Sequence, residues 1–268
     1  MQLSRMAVAT IPQVKEGDTM QSRNENNYKG IDIASYQAGL DFSLVKQAGI
    51  SIVYIKATEG LNYTNPCYKQ HYQEAKDQGL KVGFYHYFWP NRDAVQQMSR
   101  FIASLSGLNY DCLPALDVEE LGGLSKAGLS GAVAAALKSI ASLSGHKPAI
   151  YCNTNYARNY LDAGQVGGYP VWIADYNNTG HPGTNPIWSI WAGYQYSSKG
   201  NVGGKYPVDL DEFTDAIFIN PPAAEDDVIS RAKAAGLIAG DHNPSDPAAK
   251  EFVLITELNL LNKINGGK

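Results

Sequence analysis

The sequence predicts an α/β protein: a compact β/α barrel of eight strands with few helices on its later side, followed by a C-terminal helical hairpin. Three observations carry this reading. From Gly30 onward, short apolar runs ending in polar residues alternate with helix-like stretches closed by glycine, the pattern of parallel βαβ units. Eight such runs precede Pro221-Pro222, the number that closes a barrel. No glycine-rich phosphate loop follows the first run, which disfavours the competing open, doubly wound sheet.

The first run is Gly30-Ile31-Asp32-Ile33-Ala34-Ser35-Tyr36. A helix follows over 41–49, with Asp41 placed to cap its first turn and Gly49 to end it. Residues 51–58 form the second run. A helix over about 66–79 leads to the third, 81–87, and a helix over about 93–105 leads to the fourth, 112–119. The Ala-rich stretch 131–143 precedes the fifth run, 149–153, and a short helix near 156–161 precedes the sixth, 170–176. The last runs, 190–196 and 208–213, are joined with little room for helices. The span 30–222 lies near the lower bound of about 200 residues for such barrels, so the barrel must be compact.

Both flanks differ in composition. Residues 1–28 read as a polar, disordered leader without the features of a secretory signal. Lys15-Glu16-Gly17 is compatible with the ribosome-binding sequence AAGGAGG, which points to Met20 as the natural start. The barrel domain is assigned to 29–222. Residues 223–268 read as a small helical segment whose second helix carries Phe252, Leu254, Ile255, Leu258, Leu261 and Ile264. Such a hairpin is too small to hold a core alone, so self-association and docking on the barrel stay open.

Composition narrows the function classes. A net charge of −4 argues against a broad surface for nucleic acid or anionic membrane. No apolar run approaches the roughly 18 residues of a membrane span. The three cysteines Cys67, Cys112 and Cys152 have no metal-ligand spacing, and their odd number excludes complete intramolecular pairing; buried free thiols are expected. Tyr outnumbers Phe 17 to 7, which suits a wet carbohydrate cleft, although many of these rings must serve the core.

Acidic residues fall at the ends of the runs. Asp32 lies in the first, Asp117 and Glu119 end the fourth, and Asp209 lies in the last. Strand C-terminal ends form the active face of a parallel barrel, so these four side chains converge there. Asp117 and Glu119, two residues apart on a strand, point to the same side. Their mutual repulsion raises one pKa, giving an acid able to protonate a glycosidic oxygen beside ionised carboxylates. Glu120 points to the opposite face and has no part in this.

Other readings of these residues are weaker. A metal site built on the same oxygens would find only His86 as a nearby nitrogen ligand, and His86 reads as a packed strand residue, so no metal or cofactor is assigned. Asp175 fits either a fifth pocket acid or a strand-end hydrogen-bonding role, and Lys56 with Glu59 fits a structural ion pair. No serine elbow or Cys-His arrangement of recognised spacing occurs. A chitinase-like barrel lacks support because its longer acidic run is absent, and a non-catalytic sugar-binding module would not require Glu119.

The stretches Gly30-Ile31-Asp32-Ile33-Ala34-Ser35-Tyr36-Gln37, Lys56-Ala57-Thr58-Glu59-Gly60, Gly83-Phe84-Tyr85-His86-Tyr87, Leu116-Asp117-Val118-Glu119, Trp172-Ile173-Ala174-Asp175-Tyr176, Tyr194-Gln195-Tyr196-Ser197 and Val208-Asp209-Leu210 together resemble glycoside hydrolase family 25, the muramidases of phages, bacteria and some fungi. The resemblance covers about 29–220. It implies a flattened, helix-poor barrel that hydrolyses the β-1,4 bond between N-acetylmuramic acid and N-acetylglucosamine in peptidoglycan, without a cofactor, and it adds wall binding to the roles open to residues 223–268. It implies Glu119 as general acid and Asp32, Asp117 and Asp209 as its acidic partners. Tyr85, Tyr87, Trp172, Tyr176 and Gln195 would line the sugar subsites. The family usually has Trp-Gln-Tyr where this chain has Tyr194-Gln195-Tyr196, which puts one contact in doubt. With no recognisable signal, the resemblance suggests a phage or prophage endolysin made in the host cytoplasm and released to the wall through a holin pore, with a bacterial autolysin as the alternative.

Overall fold

The computed structural model describes residues 19–204 and 207–221, so most of the expected leader and the expected C-terminal hairpin lie outside the described residues. The elements run β1 (Tyr28–Ile33), α1 (Phe42–Gln47), β2 (Ile52–Glu59), β3 (Tyr63–Thr64), α2 (Tyr68–Asp77), β4 (Lys81–Tyr87), α3 (Ala94–Ser104), β5 (Ala115–Asp117), α4 (Lys126–Ser144), β6 (Ala149–Asn153), α5 (Thr154–Asn159), α6 (Ala163–Val166), β7 (Val171–Ala174), β8 (Gly193–Asn201) and β9 (Pro207–Phe213). The strand order is β1-β9-β8-β7-β6-β5-β4-β2-β3, and a further pairing of β1 with β2 closes eight strands into a barrel. The ninth strand, β3, is a two-residue antiparallel addition to the end of β2.

Neighbouring strands from β1 through β8 pair in parallel, as the βαβ pattern requires. β9 departs from it and runs antiparallel to both β8 and β1. The cause is the connection: only a few residues separate β8 from β9, enough for a hairpin and too few for a crossover helix. The reversal has a functional result. The start of β9, where Asp209 lies, reaches the rim formed by the C-terminal ends of its neighbours.

Local sequence explains the helix ends. Asp41 Oδ1 accepts from the backbone N–H of Ser43 at 2.8 Å and of Leu44 at 3.2 Å, and Gly49 takes φ +81°, as the capping pattern anticipated. Asp93 caps α3 through the Gln96 N–H at 2.9 Å. The Ala-rich helix α4 starts five residues before the expected boundary because Ser125 caps it. At 19 residues with mean hydropathy 1.3, α4 is long and apolar enough to cross a membrane, contrary to the reading of the sequence. Here Leu129, Val133, Leu137 and Ile140 are fully buried against the barrel shell.

Alternation along the strands divides the apolar residues into two groups. Ile31, Val53, Ile55, Val82, Phe84, Ile150 and Ile173 point outward into the layer beneath the helices. Ile52, Tyr54, Tyr85, Tyr151, Trp172 and Phe213 fill the lumen. Rings this large fit only where neighbouring strands carry no side chain. A Cβ on Gly83 would stand 2.4 Å from the Tyr54 ring, and one on Gly193 would stand 2.7 Å from both Trp172 and Phe213.

The last residues of the stretch expected to be a disordered leader are packed on the barrel. Met20 is buried, the Gln21 carbonyl accepts from Trp191 Nε1 at 2.7 Å, and Arg23 Nε donates to Glu212 at 2.7 Å while its guanidinium lies over the Tyr196 ring. Gln21 and Arg23 are polar and Met20 is a lone apolar residue, and the partners of all three are distant and could not be read locally. The thiols of Cys112 and Cys152 are buried, whereas Cys67 is only half-buried; all three are free.

Candidate active site

Asp32 at the end of β1, Asp117 at the end of β5, Glu119 just beyond it and Asp209 on β9 line one cleft of about 320 Å³ at the barrel rim. Tyr85, Tyr87, Trp172, Tyr176 and Gln195 line the same cleft, so all nine residues anticipated from sequence come together. β5 is shorter than its apolar run: it ends at Asp117, and Glu119 stands on the loop that follows. Tyr156 donates from its hydroxyl to the Glu119 carbonyl and anchors that loop. Asp117 is 4% exposed, whereas Glu119 is exposed at the surface of the cleft.

The two carboxyls share the cleft and act on each other, so ionising both is unfavourable. Burial and the Glu119 charge push Asp117 well above the usual carboxylate range. Burial also raises Glu119, opposed by the neighbouring Asp117 carboxyl and by the Lys56 ammonium. Asp117 Oδ1 is buried with no hydrogen-bond partner among the described residues, an acceptor left for a substrate donor.

On the opposite wall, Asp32 and Asp209 are cross-strand partners. Burial and the Asp209 charge raise Asp32, while Gln195 Nε2 donates to its Oδ2 at 2.6 Å and holds it in place. Gln195 is fixed in turn, its Oε1 accepting from the hydroxyls of Tyr151 and Tyr176. Burial and the Glu119 charge push Asp209 up to about 6. Trp172 is 1% exposed and forms the cleft floor, whereas Tyr176, 48% exposed, presents its ring at the rim.

Several residues in or near the cleft were not assigned to it from sequence. Tyr36, 82% exposed, faces the cleft from the turn after β1. Lys56 is the cation in the lining; its Nζ lies 2.6 Å from Glu59 Oε2 and 4.5 Å from the Tyr87 ring centre. Tyr87 donates to Glu120 at 3.0 Å, so Glu120 supports the lining instead of facing away from everything in it. Asp211 lies inside the barrel beneath Asp32, and the repeat of the D-x-E spacing in Asp209-Leu210-Asp211 was the signal for it.

The remaining residues take structural places. His86 is fully buried between Thr58 and Gln97, at 2.7 and 3.2 Å, and burial lowers its pKa to about 4. Asp175 Oδ2 accepts from Thr154 Oγ1 and the Gly183 N–H, both at 2.9 Å, the strand-end role. Tyr194, at the position where a Trp is usual, is buried on the outer side of β8 against Trp191 and is absent from the cleft lining. Among the described residues no group of three His, Cys, Asp or Glu is arranged to hold a metal ion. A second hollow of about 400 Å³ adjoins the cleft, lined by Asn153, Thr154, Asn155 and Asp175, and shares Glu119, Tyr151 and Tyr176 with it.

Comparison with known proteins agrees with this geometry. The model of the glycosyl hydrolases family 25 matches residues 31–205. An autolytic lysozyme of Clostridium acetobutylicum is 40% identical over 192 residues; the match spans 71% of this chain and 57% of that protein. The solved bacterial lysozyme of Streptomyces coelicolor superposes with a TM-score of 0.62 at 25% identity, covering 71% of this chain and 94% of that one. The solved CTP1L endolysin gives a TM-score of 0.61 at 27% identity, covering 70% and 67%. Because the matched stretch takes in seven of the eight barrel strands and three of the four rim acids, the chain belongs to family 25 of the glycosyl hydrolases.

Proposed function

We propose that the protein is a lysozyme that hydrolyses the β-1,4 bond from N-acetylmuramic acid to N-acetylglucosamine in bacterial peptidoglycan. The observation that carries this is the position of Glu119. It is an exposed acid beside the enclosed Asp117, and it lies where two adjoining hollows meet. A glycan laid across both places its scissile oxygen within reach of Glu119.

In this reading Glu119 gives the proton to the leaving oxygen as the C1–O bond breaks. The acetamide oxygen of the departing sugar's neighbour attacks C1, forming an oxazolinium whose positive charge Asp32 and Asp209 stabilise. The free Asp117 Oδ1 accepts the acetamide N–H and aims its oxygen. Water then opens the oxazolinium and returns a proton to Glu119, completing hydrolysis with retention. Trapping of a covalent glycosyl-enzyme on any aspartate would rule out this order of events.

The wall is the site of action in this proposal, and the resemblance to a solved endolysin supports release of the protein at phage lysis. Borohydride reduction of digested walls tests the bond assignment. Reduced muramic acid is the expected product; reduced glucosamine or new amino termini would replace the muramidase reading by a glucosaminidase or an amidase.

A further inference from the structure

The barrel encloses a fifth acid that the steps above leave unused. Asp211 is 0% exposed and lies in register with Gly30 of β1 and Gln195 of β8. Its Oδ1 accepts from Trp172 Nε1 at 2.8 Å. Its Oδ2 receives no N–H or O–H from the described residues. Asp32 stands diagonally across the β1–β9 pair on the same face, and the two carboxyls act on each other. Two ionised carboxylates side by side in a dry interior repel each other, so one of them is protonated.

Surroundings decide which. Asp32 faces the cleft and already accepts from Gln195 Nε2, a bond that favours its ionised form. Asp211 is walled in by the lumen aromatics. Asp32 on β1, Asp209 on its own strand, Tyr54 on β2, Tyr176 and Tyr196 act on it or feel its charge; the cation beyond Tyr196, Arg23, is paired with Glu212. An ionised Asp211 there would be an unpaired charge in a dry interior.

We propose that Asp211 is a positioning residue for the reaction: a carboxylic acid that keeps its proton, receives the Trp172 indole N–H on one oxygen and donates through the other to Asp32. It thereby fixes Asp32 as a carboxylate aimed into the cleft. The kinetic consequence rests on the hydrolase reading; the protonation state does not.

Asp211→Asn and Asp211→Leu test it. Asparagine can still take the indole N–H and donate to Asp32, whereas leucine can do neither. In an infrared difference spectrum near neutral pH, wild type should show a protonated-carboxyl stretch that Asp211→Asn lacks. On wall substrate, Asp211→Leu should lose roughly 10- to 100-fold in kcat with KM little changed, the size of a hydrogen bond to a charged group. Asp211→Asn should recover most of that loss and keep the wild-type pH profile. Absence of the infrared band, full activity of the leucine variant, or an asparagine variant that folds but is as inactive as leucine would each overturn the proposal. If leucine prevents folding, the infrared band and the asparagine variant decide. If wild type itself releases no reducing ends, the hydrolase reading fails, and the infrared band alone decides whether Asp211 keeps its proton.

Discussion

Asp32 of β1 and Asp209 of β9 stand directly opposite each other in an antiparallel pair, in register from Tyr28 with Phe213 to Asp32 with Asp209. Like charges directly across a strand pair destabilise a sheet. Their retention on a cleft wall, with Asp209 raised to about 6, marks a place where folding stability is lower than it could be.

Removing the Asp209 charge should therefore stabilise the fold. A carboxyl raised in the folded state contributes most stability below its ordinary value of 3.8 and loses it as pH rises through about 6. Asp209→Asn should melt a few degrees above wild type at pH 7, with the gain vanishing near pH 4. Thermal melts at the two pH values check this, and an equal gain at both would contradict it.

The same residue should set the acid limb of activity. If ionised Asp209 stabilises positive charge at C1, kcat/KM falls as pH drops through about 6. In Asp209→Asn that limb should be lost and the rate lowered throughout, as measured by wall clearing across the pH range.

Glu119→Gln should abolish clearing, by roughly 10²- to 10⁴-fold, because glutamine cannot supply the proton. Its thermal melt should be at least as high as that of wild type, since a raised carboxyl is removed. Unchanged clearing would displace Glu119 from its role.

His86 governs stability on the acid side. Its folded-state pKa of about 4 lies below the ordinary 6.5, so its contribution is complete above 6.5 and is lost as pH falls through 4. Protonating the buried ring between Thr58 and Gln97 costs about 3 kcal/mol. His86→Gln should flatten the fall in melting temperature between pH 6 and 4, and an unchanged slope would refute this.

Gly83→Ala probes the lumen. The added methyl meets the Tyr54 ring at 2.4 Å, and Tyr54 is fixed by its hydroxyl bond to the Leu113 carbonyl at 2.8 Å. Overpacking of this kind costs about 1–3 kcal/mol, which denaturant melts would show as a lower midpoint with the same slope.

Much of this was legible in the sequence because strands and caps are local. Asp41, Gly49 and Asp93 act within a few residues, and the eight apolar runs overlap the eight barrel strands. The rim acids were legible because their place at run ends coincides with the barrel's active face. What escaped depends on contacts distant along the chain. Met20 and Arg23 look like leader until Asn185 and Glu212 are beside them. The reversal of β9 follows from a connection length that the runs alone do not fix. Asp211 carries the same i, i+2 signal as Asp117 and Glu119, but its enclosure beneath Trp172 exists only in the closed barrel.

The reversed strand also fixes when the protein becomes competent during its own synthesis. β1 finds its partner β2 early, but its other edge waits for β9, whose residues are translated about 180 positions later. Until that strand inserts between β1 and β8, the lumen stays open, Asp32 has neither Asp209 nor Asp211 beside it, and the cleft lacks a wall. Such distant pairing folds slowly. A nascent chain stalled before Pro207 would thus carry Glu119 and most of the aromatic lining, yet remain harmless to a glycan strand.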